Sequence, residues 1–287
     1  MGLSVVIPVY NEARCIRETI LIITKTLEKS EIKDFEIIAV NDGSTDDTTQ
    51  ILNECTLTFR HLEHQHNKGY GASLKTGIKA AQYDIIATTD ADGTYPNIDI
   101  PKLYAHMKDN DMVVGSRTGK VVHIPWVRKP AKWFINKLAN YLTSTKIPDI
   151  NSGLRLFRKD DCLKFFKILP SGFSFSTTIT LAMLTNHMTV KYIPIDYMKR
   201  TGKSKIKPIR DTANFIALIV RTILYFNPLK VFVPVSIFLL LASLGIFVYS
   251  YLALPKILDA TVTTLFIASI QLLAIGMLAD LLEKRSK

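Results

Sequence analysis

The chain has 287 residues, of which 48% are hydrophobic and 21% are charged, and its formal net charge at pH 7 is +11. This length supports one large domain or two ordinary ones with a buried core, which excludes a disulfide-stabilised miniprotein and a disordered tail. The basic excess favours an anionic partner, such as nucleic acid, a nucleotide or a membrane surface. The three cysteines lie far apart without C-x-x-C spacing, so neither a disulfide framework nor a structural zinc site is favoured.

Up to about residue 200, short β-rich runs alternate with helical stretches. Strands are predicted at residues 4–9, 36–40, 84–89, 112–115, 154–157 and 190–193. Helices are predicted near residues 12–29, 46–54, 72–81 and 98–108. This alternation predicts an α/β fold with a mostly parallel sheet and helices on both faces.

Acidic and polar side chains follow four of the predicted strands, in the segments 8–12, 41–44, 90–93 and 116–117. Ligands of such sheets bind beyond the carboxyl ends of the strands, so these side chains are candidates for a binding site. Asp90 and Asp92 leave an apolar strand two residues apart and can present carboxylate oxygens to a divalent cation that also binds substrate phosphates. An ordinary turn is the alternative for this pair.

Three further segments combine glycines or cations with small hydrogen-bonding residues, as phosphate recognition by Arg or Lys requires. They are 67–73, 149–155 and 200–205. The alternatives are, in the same order, a strand-to-helix connection, a polar turn and a solvated linker beside the membrane. His61, His64 and His66 show no ligand spacing on a helix and are predicted to lie in a loop.

Two uncharged apolar runs, 231–251 and 260–279, lie near the C-terminus. Each is long enough to cross a hydrocarbon core of ~30 Å as a helix. Their uniformity argues against the alternative of buried core helices, which usually carry a polar stripe. The connection between them carries only Lys256 and Asp259, whereas basic residues flank the outer ends, so both termini are expected in the cytoplasm.

Between Lys191 and Lys230, nine basic residues are set against two acidic ones, a local charge of +7 beside the first apolar run. We call this segment the basic belt. It favours anionic head groups or a phosphate-bearing ligand at the interface. Within the belt, residues 212–226 are apolar apart from Arg221 and are predicted either to lie along the membrane surface as a helix or to pack on the preceding domain.

Seven ordered stretches resemble glycosyltransferase family 2. They are SVVIPVYNE at 4–12, IIAVNDGSTDDT at 37–48, NKGYGASLKTGI at 67–78, DADGTYP at 90–96, GSR at 115–117, NSGLRLF at 151–157 and RTGKSK at 200–205. More narrowly, they are similar to polyprenyl-phosphate sugar synthases of the dolichol-phosphate mannose synthase type, and the apolar runs resemble the membrane anchor of many bacterial and archaeal members. The resemblance implies a GT-A fold, a nucleotide-diphosphate sugar as donor and a polyprenyl or dolichyl phosphate as acceptor.

The resemblance also implies roles for individual residues. The nucleoside would be contacted by Pro8, Tyr10, Glu12, Val40 and Asp42. The DxD element would be Asp90, Ala91 and Asp92, with Asp90 and Asp92 meeting Mg²⁺ or Mn²⁺ bound to the diphosphate. The acceptor phosphate would be held by Arg117, Ser152 and Arg155, and the donor pyrophosphate would be covered by Arg200, Ser204 and Lys205.

The chemistry expected of such a site needs few special residues. A phosphate monoester is largely dianionic near neutral pH, with a second pKa of about 6, so it can attack the anomeric carbon without a strong protein base. We expect a single displacement with inversion, in which Asp92 with its metal stabilises the leaving group while Arg117 and Arg155 position the nucleophile. Asp149 is a candidate residual base or sugar-orienting residue, and a turn residue is the alternative.

The sequence therefore predicts a GT-A domain over residues 1–207, a basic amphipathic segment over 208–230 and a two-helix membrane anchor over 231–287, through which protomers can pair.

The sequence Gly93-Thr94-Tyr95-Pro96 departs from the DADLxHP-like run common in mannose synthases, which favours a UDP-hexose as donor. The alternative is GDP-mannose-dependent dolichyl-phosphate mannose synthesis.

Two other classes of protein are disfavoured. The absence of Q-x-x-R-W and the presence of two spans disfavour a processive polysaccharide synthase. Basic residues clustered beside the spans disfavour a nucleic-acid or membrane scaffold.

Overall fold

The computed structural model of the chain describes residues 2–120, 137, 139–141, 143–172, 174–198, 217, 219–256 and 258–285. They form two compact units, Met1–Phe215 and Ile216–Lys287. Most of the basic belt and the first part of the predicted segment 212–226 lie outside the described residues, whereas residues 219–226 are helical. The domain boundaries after residues 207 and 230 stay predictions.

Seven strands form one sheet in the first unit. In chain order they are β1 (Leu3–Val9), β2 (Phe35–Asn41), β3 (Arg60–Glu63), β4 (Ile85–Thr88), β5 (Met112–Ser116), β6 (Arg155–Arg158) and β7 (Val190–Pro194). Their order across the sheet is β3-β2-β1-β4-β6-β5-β7. All neighbouring strands are parallel except β6, which runs antiparallel to both β4 and β5. The predicted mostly parallel sheet is confirmed.

In the part of the chain that the structure describes, six helices with complete bounds accompany this sheet, together with 3₁₀ turns at Asn97–Asp99 and His106–Lys108. The six helices are α1 (Ile16–Glu28), α2 (Thr48–Glu54), α3 (Tyr70–Ala80), α4 (Ile100–Ala105), α5 (Lys159–Lys164) and α6 (Phe175–Thr185). Residues 137, 139–141 and 143 are also helical. Helix α1 buries Ile16, Ile20, Ile23 and Leu27, whose spacing of three or four residues places them on one face.

The central strand β1 has a core on both of its faces, and all seven of its residues are buried. On one face Ile7 joins the apolar cluster that contains Ile20 of α1. On the other, α3 approaches so closely that a Cβ on Gly77 would lie 2.3 Å from Val6 Cγ1. Burial of both faces explains why β1 is a continuous apolar run rather than an alternating one.

Three elements differ from the sequence prediction. Strand β3 and helices α5 and α6 were not expected, and the placement of the histidines in a loop is wrong for His61, which belongs to β3. Strand β3 is a short edge strand whose sequence, RHLE, contains one aliphatic residue, so it lacks the apolar run of the other strands. Helix α6 is buried at its first ten positions and therefore has no polar face that would indicate a helix.

The second unit contains a helical hairpin formed by α7 (Leu229–Ala253) and α8 (Asp259–Arg285). Ser236 Oγ donates a hydrogen bond of 2.7 Å to the Ser269 carbonyl of α8, and Ser243 Oγ one of 2.8 Å to the Val262 carbonyl. Most other side chains of the pair are exposed and apolar, and both helices are long and apolar enough to cross a membrane. The two predicted apolar runs lie within them.

Candidate functional site

The ends of the parallel strands bring the first predicted site residues to one edge of the sheet. The Asp42 amide, just after β2, donates to the Val9 carbonyl at the end of β1 with a length of 2.8 Å. The two loops are tied further by the Asn11 amide, which donates to Ser44 Oγ at 3.0 Å, and by the Glu12 amide, which donates to Thr48 Oγ1 at 3.0 Å. The β1 and β2 loops therefore form one connected wall.

Within this wall, the predicted nucleoside contacts differ in accessibility. Pro8 and Val40 are partners in the β1–β2 register, and both are buried. Tyr10 and Glu12 are half-buried. Tyr10 and Glu12 are therefore the more accessible of the four to a nucleotide.

Asp42 is buried, with 2% of its surface exposed, and its carboxylate has several hydrogen-bond partners. Its Oδ1 lies 2.6 Å from His64 Nδ1 and accepts from the Lys68 amide at 2.9 Å, while its Oδ2 accepts from the Gly69 amide at 2.8 Å. His64 Nε2 in turn lies 2.9 Å from Thr76 Oγ1 on α3. Asp42 thus links β2 to the start of α3, and His64 is a site residue that its sequence spacing did not indicate.

The glycines of segment 67–73 are explained by packing inside the protein. Gly69 has a φ of +102°, and a Cβ on it would lie 2.6 Å from the Ser171 carbonyl oxygen. A Cβ on Gly71 would lie 2.2 Å from the Pro170 carbonyl oxygen. The Lys68 and Gly69 amides already donate to Asp42, so the structure favours the strand-to-helix connection over a phosphate-binding loop.

The two carboxylates of the DxD element follow β4 and are each held by a neighbouring side chain. Tyr70 Oη donates to Asp90 Oδ1 at 3.0 Å. Burial of the Tyr70 phenol, and to a lesser extent the negative charge of Asp90, raise its pKa well above the ordinary value, so the phenol stays protonated and remains a donor. Asp92 Oδ1 accepts from the Thr94 amide at 3.1 Å and from Thr94 Oγ1 at 2.6 Å. Both aspartates therefore have fixed orientations.

This pair fits a divalent cation that takes its remaining ligands from a diphosphate and water, the usual arrangement for Mg²⁺ in phosphate-binding sites. Among the described residues, no group of three or more His, Cys, Asp or Glu side chains is suited to hold a metal ion by itself. Any cation here would therefore depend on the substrate as well as on Asp90 and Asp92.

Arg117 and Asp149 form a bidentate ion pair beside the end of β5. Arg117 Nε lies 2.6 Å from Asp149 Oδ2, and its Nη2 lies 2.8 Å from Oδ1. The guanidinium also lies 5.1 Å from the centre of the Tyr197 ring. Burial disfavours the charge on Arg117, but Tyr95 and the hydrogen-bonded Asp149 outweigh it and raise the pKa of Arg117. Since both Asp149 oxygens accept from Arg117, a base role for Asp149 would require breaking this pair.

Two other predicted phosphate ligands, Ser152 and Arg155, are completely buried. Ser152 Oγ donates to the Gly115 carbonyl at 2.5 Å. Arg155 Nε donates to the Ser152 carbonyl at 3.0 Å, and its Nη1 donates to the Ser176 carbonyl at 2.8 Å and to Thr180 Oγ1 at 2.9 Å. The structure therefore does not support direct phosphate contact by Arg155, because β6 points its side chain towards α6.

The last predicted donor contacts, Arg200, Ser204 and Lys205, lie outside the described residues. Besides His64, Tyr70 and Tyr95 are residues of the candidate site for which the sequence predicts no role. The signal that could have indicated them was their position inside the glycine-rich stretch 67–78 and the DxD stretch 90–96.

Comparisons with known proteins agree with this architecture. Residues 4–166 match glycosyl transferase family 2, and residues 227–283 match the GtrB C-terminal hairpin. A dolichyl-phosphate hexose transferase of Haloferax volcanii is 28% identical over 213 residues, which cover 74% of this chain and 89% of that protein. An undecaprenyl-phosphate 4-deoxy-4-formamido-L-arabinose transferase of Proteus mirabilis is 32% identical over 164 residues, or 54% of this chain and 48% of the relative.

Among solved structures, the glucosyl-3-phosphoglycerate synthase of Mycobacterium tuberculosis superposes with a TM-score of 0.61 at 17% identity and covers 77% of this chain and 78% of that one. This likeness concerns the fold, and it confirms the predicted GT-A architecture.

Proposed function

Since the chain belongs to glycosyltransferase family 2, we propose that it transfers a hexose from a nucleotide-diphosphate sugar to a polyprenyl or dolichyl phosphate at the cytoplasmic face of a membrane. The observation that carries this proposal is the pairing of a fixed Asp90–Asp92 element with the Arg117–Asp149 ion pair in a chain that also bears two membrane-length helices. The names of the Haloferax and Proteus relatives support the acceptor class.

On the donor side, Asp90 and Asp92 would hold Mg²⁺ or Mn²⁺ together with the diphosphate. When bound, such a cation supplies positive charge to the departing nucleoside diphosphate. Tyr70 and Thr94 fix the orientation of the two carboxylates, so little reorganisation is needed when the donor binds. Tyr10 and Glu12 line the same edge and are proposed to contact the nucleoside.

On the acceptor side, Arg117 is proposed to position the lipid phosphate. Its guanidinium is already oriented by Asp149 and by the Tyr197 ring, which lowers the entropic cost of placing a phosphate in line for attack. The phosphate monoester is itself the nucleophile and needs no strong base. Asp149 therefore need not act as a base, which is consistent with its ion pair with Arg117. Direct attack by the phosphate gives a single displacement with inversion.

The nature of the sugar and base is a finer proposal. The DADGTYP stretch at 90–96 favours a UDP-hexose, and GDP-mannose is the competing donor. Donor choice depends on a few side chains of the pocket and not on the fold.

The test is a transfer assay with the full chain in membranes, polyprenyl phosphate and radiolabelled UDP-glucose, UDP-N-acetylglucosamine or GDP-mannose. We expect label in the organic-solvent-extractable lipid with one donor preferred. Asp92→Asn keeps an oxygen that can accept from Thr94 but loses the negative charge, so transfer should fall about 100-fold or more while thermal unfolding is unchanged. Label appearing in protein or in a growing glycan would refute the acceptor class.

A further inference from the structure

Arg155 is a buried cation that donates to the Ser152 carbonyl, and the next residue along, Gly153, packs against Asp90 of the DxD element. We propose that Arg155 is a positioning residue: it clamps the turn at residues 151–153 onto α6, and this turn holds Asp90 in the orientation that the donor and its metal require. The inference rests on the proposed function, because it assumes that Asp90 serves a nucleotide-sugar donor.

Arg155 is held by hydrogen bonds to both the turn and α6. Its side chain has 0% exposure, and among the described residues its donors go to neutral acceptors: the Ser152 carbonyl through Nε and Nη2, and the Ser176 carbonyl and Thr180 Oγ1 through Nη1. One planar guanidinium therefore joins the turn to α6 in a fixed geometry, which a lysine ammonium cannot reproduce.

A second contact strengthens the same attachment. Thr177 Oγ1 of α6 donates to Asn151 Oδ1 at the start of the turn. Ser152 Oγ donates to the Gly115 carbonyl of β5 at 2.5 Å. The turn is therefore held from α6 on one side and from the sheet on the other.

The turn contacts Asp90 through Gly153. A Cβ on Gly153 would lie 2.8 Å from Asp90 Oδ1, so the Gly153 backbone rests directly against this carboxylate. The Gly153 amide donates to Tyr95 Oη at 2.7 Å, and its carbonyl accepts from Thr88 Oγ1 at 2.8 Å. Tyr70 Oη holds the same Asp90 oxygen from α3. Displacing Gly153 would therefore change the position of Asp90.

Arg155 therefore has a different effect from that of a direct phosphate ligand. A direct phosphate ligand affects acceptor binding, whereas Arg155 affects donor binding, because the turn that it holds packs against Asp90 through Gly153. Groups that support a metal ligand from behind commonly change metal affinity by about 10-fold or more when they are altered. Arg155 variants should accordingly weaken metal-dependent nucleotide binding, which can be measured without any lipid acceptor.

The experiment uses the purified full chain and isothermal titration calorimetry with UDP and with GDP, each at a series of Mn²⁺ concentrations. Thr180→Val removes one acceptor of Arg155. Thr178→Val is its matched control, because Thr178 is another buried threonine of α6 whose hydroxyl donates to a carbonyl four residues earlier, at 3.0 Å, without contacting Arg155. Arg155→Lys removes the planar fork.

We expect Arg155→Lys to raise the Mn²⁺ concentration needed for half-maximal nucleotide binding by about 10-fold. Thr180→Val should shift it in the same direction by less, and Thr178→Val should leave it unchanged. Equal effects of the two threonine variants would overturn the inference. So would an Arg155→Lys variant that binds Mn²⁺ and nucleotide normally but needs more polyprenyl phosphate for half-maximal transfer. If Arg155→Lys fails to fold, the threonine pair still decides.

Transfer to polyprenyl phosphate is scored separately. A wild-type chain that binds nucleotide with Mn²⁺ but glycosylates no polyprenyl phosphate would overturn the proposed function, while the two threonine variants would still decide the role of Arg155. A wild-type chain that binds neither UDP nor GDP with Mn²⁺ would overturn the inference itself.

Discussion

Asp42 illustrates how single residues prepare this site. Its carboxylate is buried and would carry a large desolvation cost without partners, but His64 and the Lys68 and Gly69 amides supply them. The same carboxylate therefore fixes the entry to α3 and stands at the sheet edge where a nucleoside is proposed to bind. The proposed nucleoside contact of Asp42 would therefore depend on these hydrogen bonds.

His64 is accordingly predicted to matter for nucleotide binding. His64→Leu removes the Nδ1 donor from Asp42, so we expect a loss of about 1–3 kcal/mol in the free energy of unfolding and weaker UDP or GDP binding by calorimetry. His66→Asn is the matched control, since His66 is an exposed histidine two residues away. Wild-type nucleotide affinity in His64→Leu would contradict the assignment.

The site residues show what the sequence could and could not predict. The motifs placed Asp42, Asp90, Asp92 and Arg117 at the strand ends where the structure has them. Asp92 is held by Thr94, two residues further along the chain. The side chains that hold the other three come from 20 to 32 residues away, as in Tyr70–Asp90 and Arg117–Asp149, and no local pattern indicates such pairs. The family resemblance implies an acceptor-phosphate role for Arg155, and nothing in its own segment of the sequence indicates that α6 covers this side chain.

At the scale of elements, the apolar runs were sufficient for the central sheet. All six predicted strands lie within one residue of the observed bounds. The antiparallel direction of β6 could not be predicted, because direction depends on the long connection from β5 rather than on the strand's composition. Strand β3 escaped prediction because an edge strand can remain polar and half-exposed.

The contact between the start of α3 and the loop before α6 is an element-scale feature that can be tested. Gly71→Ala places a Cβ 2.2 Å from the Pro170 carbonyl oxygen, and a backbone atom cannot move aside cheaply. We expect a loss of about 1–3 kcal/mol in the free energy of unfolding, measured by denaturant titration. Gly172→Ala is the control in the same contact region, because no described atom lies within 4 Å of its Cβ position. Equal free energies of unfolding for Gly71→Ala and Gly172→Ala would show that the loop moves to accommodate the added Cβ at little cost.

At the scale of the whole molecule, the net charge of +11 has an uneven distribution. The proposed donor site is acidic, the basic belt precedes the membrane-length hairpin in sequence, and the hairpin itself exposes apolar side chains such as Phe238 and Leu241. Such a composition suits an enzyme that transfers the sugar of a soluble nucleotide sugar to a lipid with an anionic head group and releases the nucleoside diphosphate.

Truncation after Asn227 is expected to separate nucleotide binding from the use of an acceptor in a membrane. The remaining chain is expected to bind UDP or GDP as the full chain does, because every described contact of the DxD element lies before that residue. It should use polyprenyl phosphate in vesicles poorly, yet retain transfer to a short-chain, water-soluble prenyl phosphate. Initial rates with the two acceptors provide the comparison, and full activity on the vesicle acceptor would argue against a role for the hairpin.

Transfer of a hexose to a lipid phosphate by single displacement leaves a distinct signature in the NMR spectrum of the purified lipid product. We expect one anomeric proton coupled to a single phosphorus, with an anomeric configuration opposite to that of the donor sugar. A retained configuration, or a sugar without coupling to phosphorus, would contradict it.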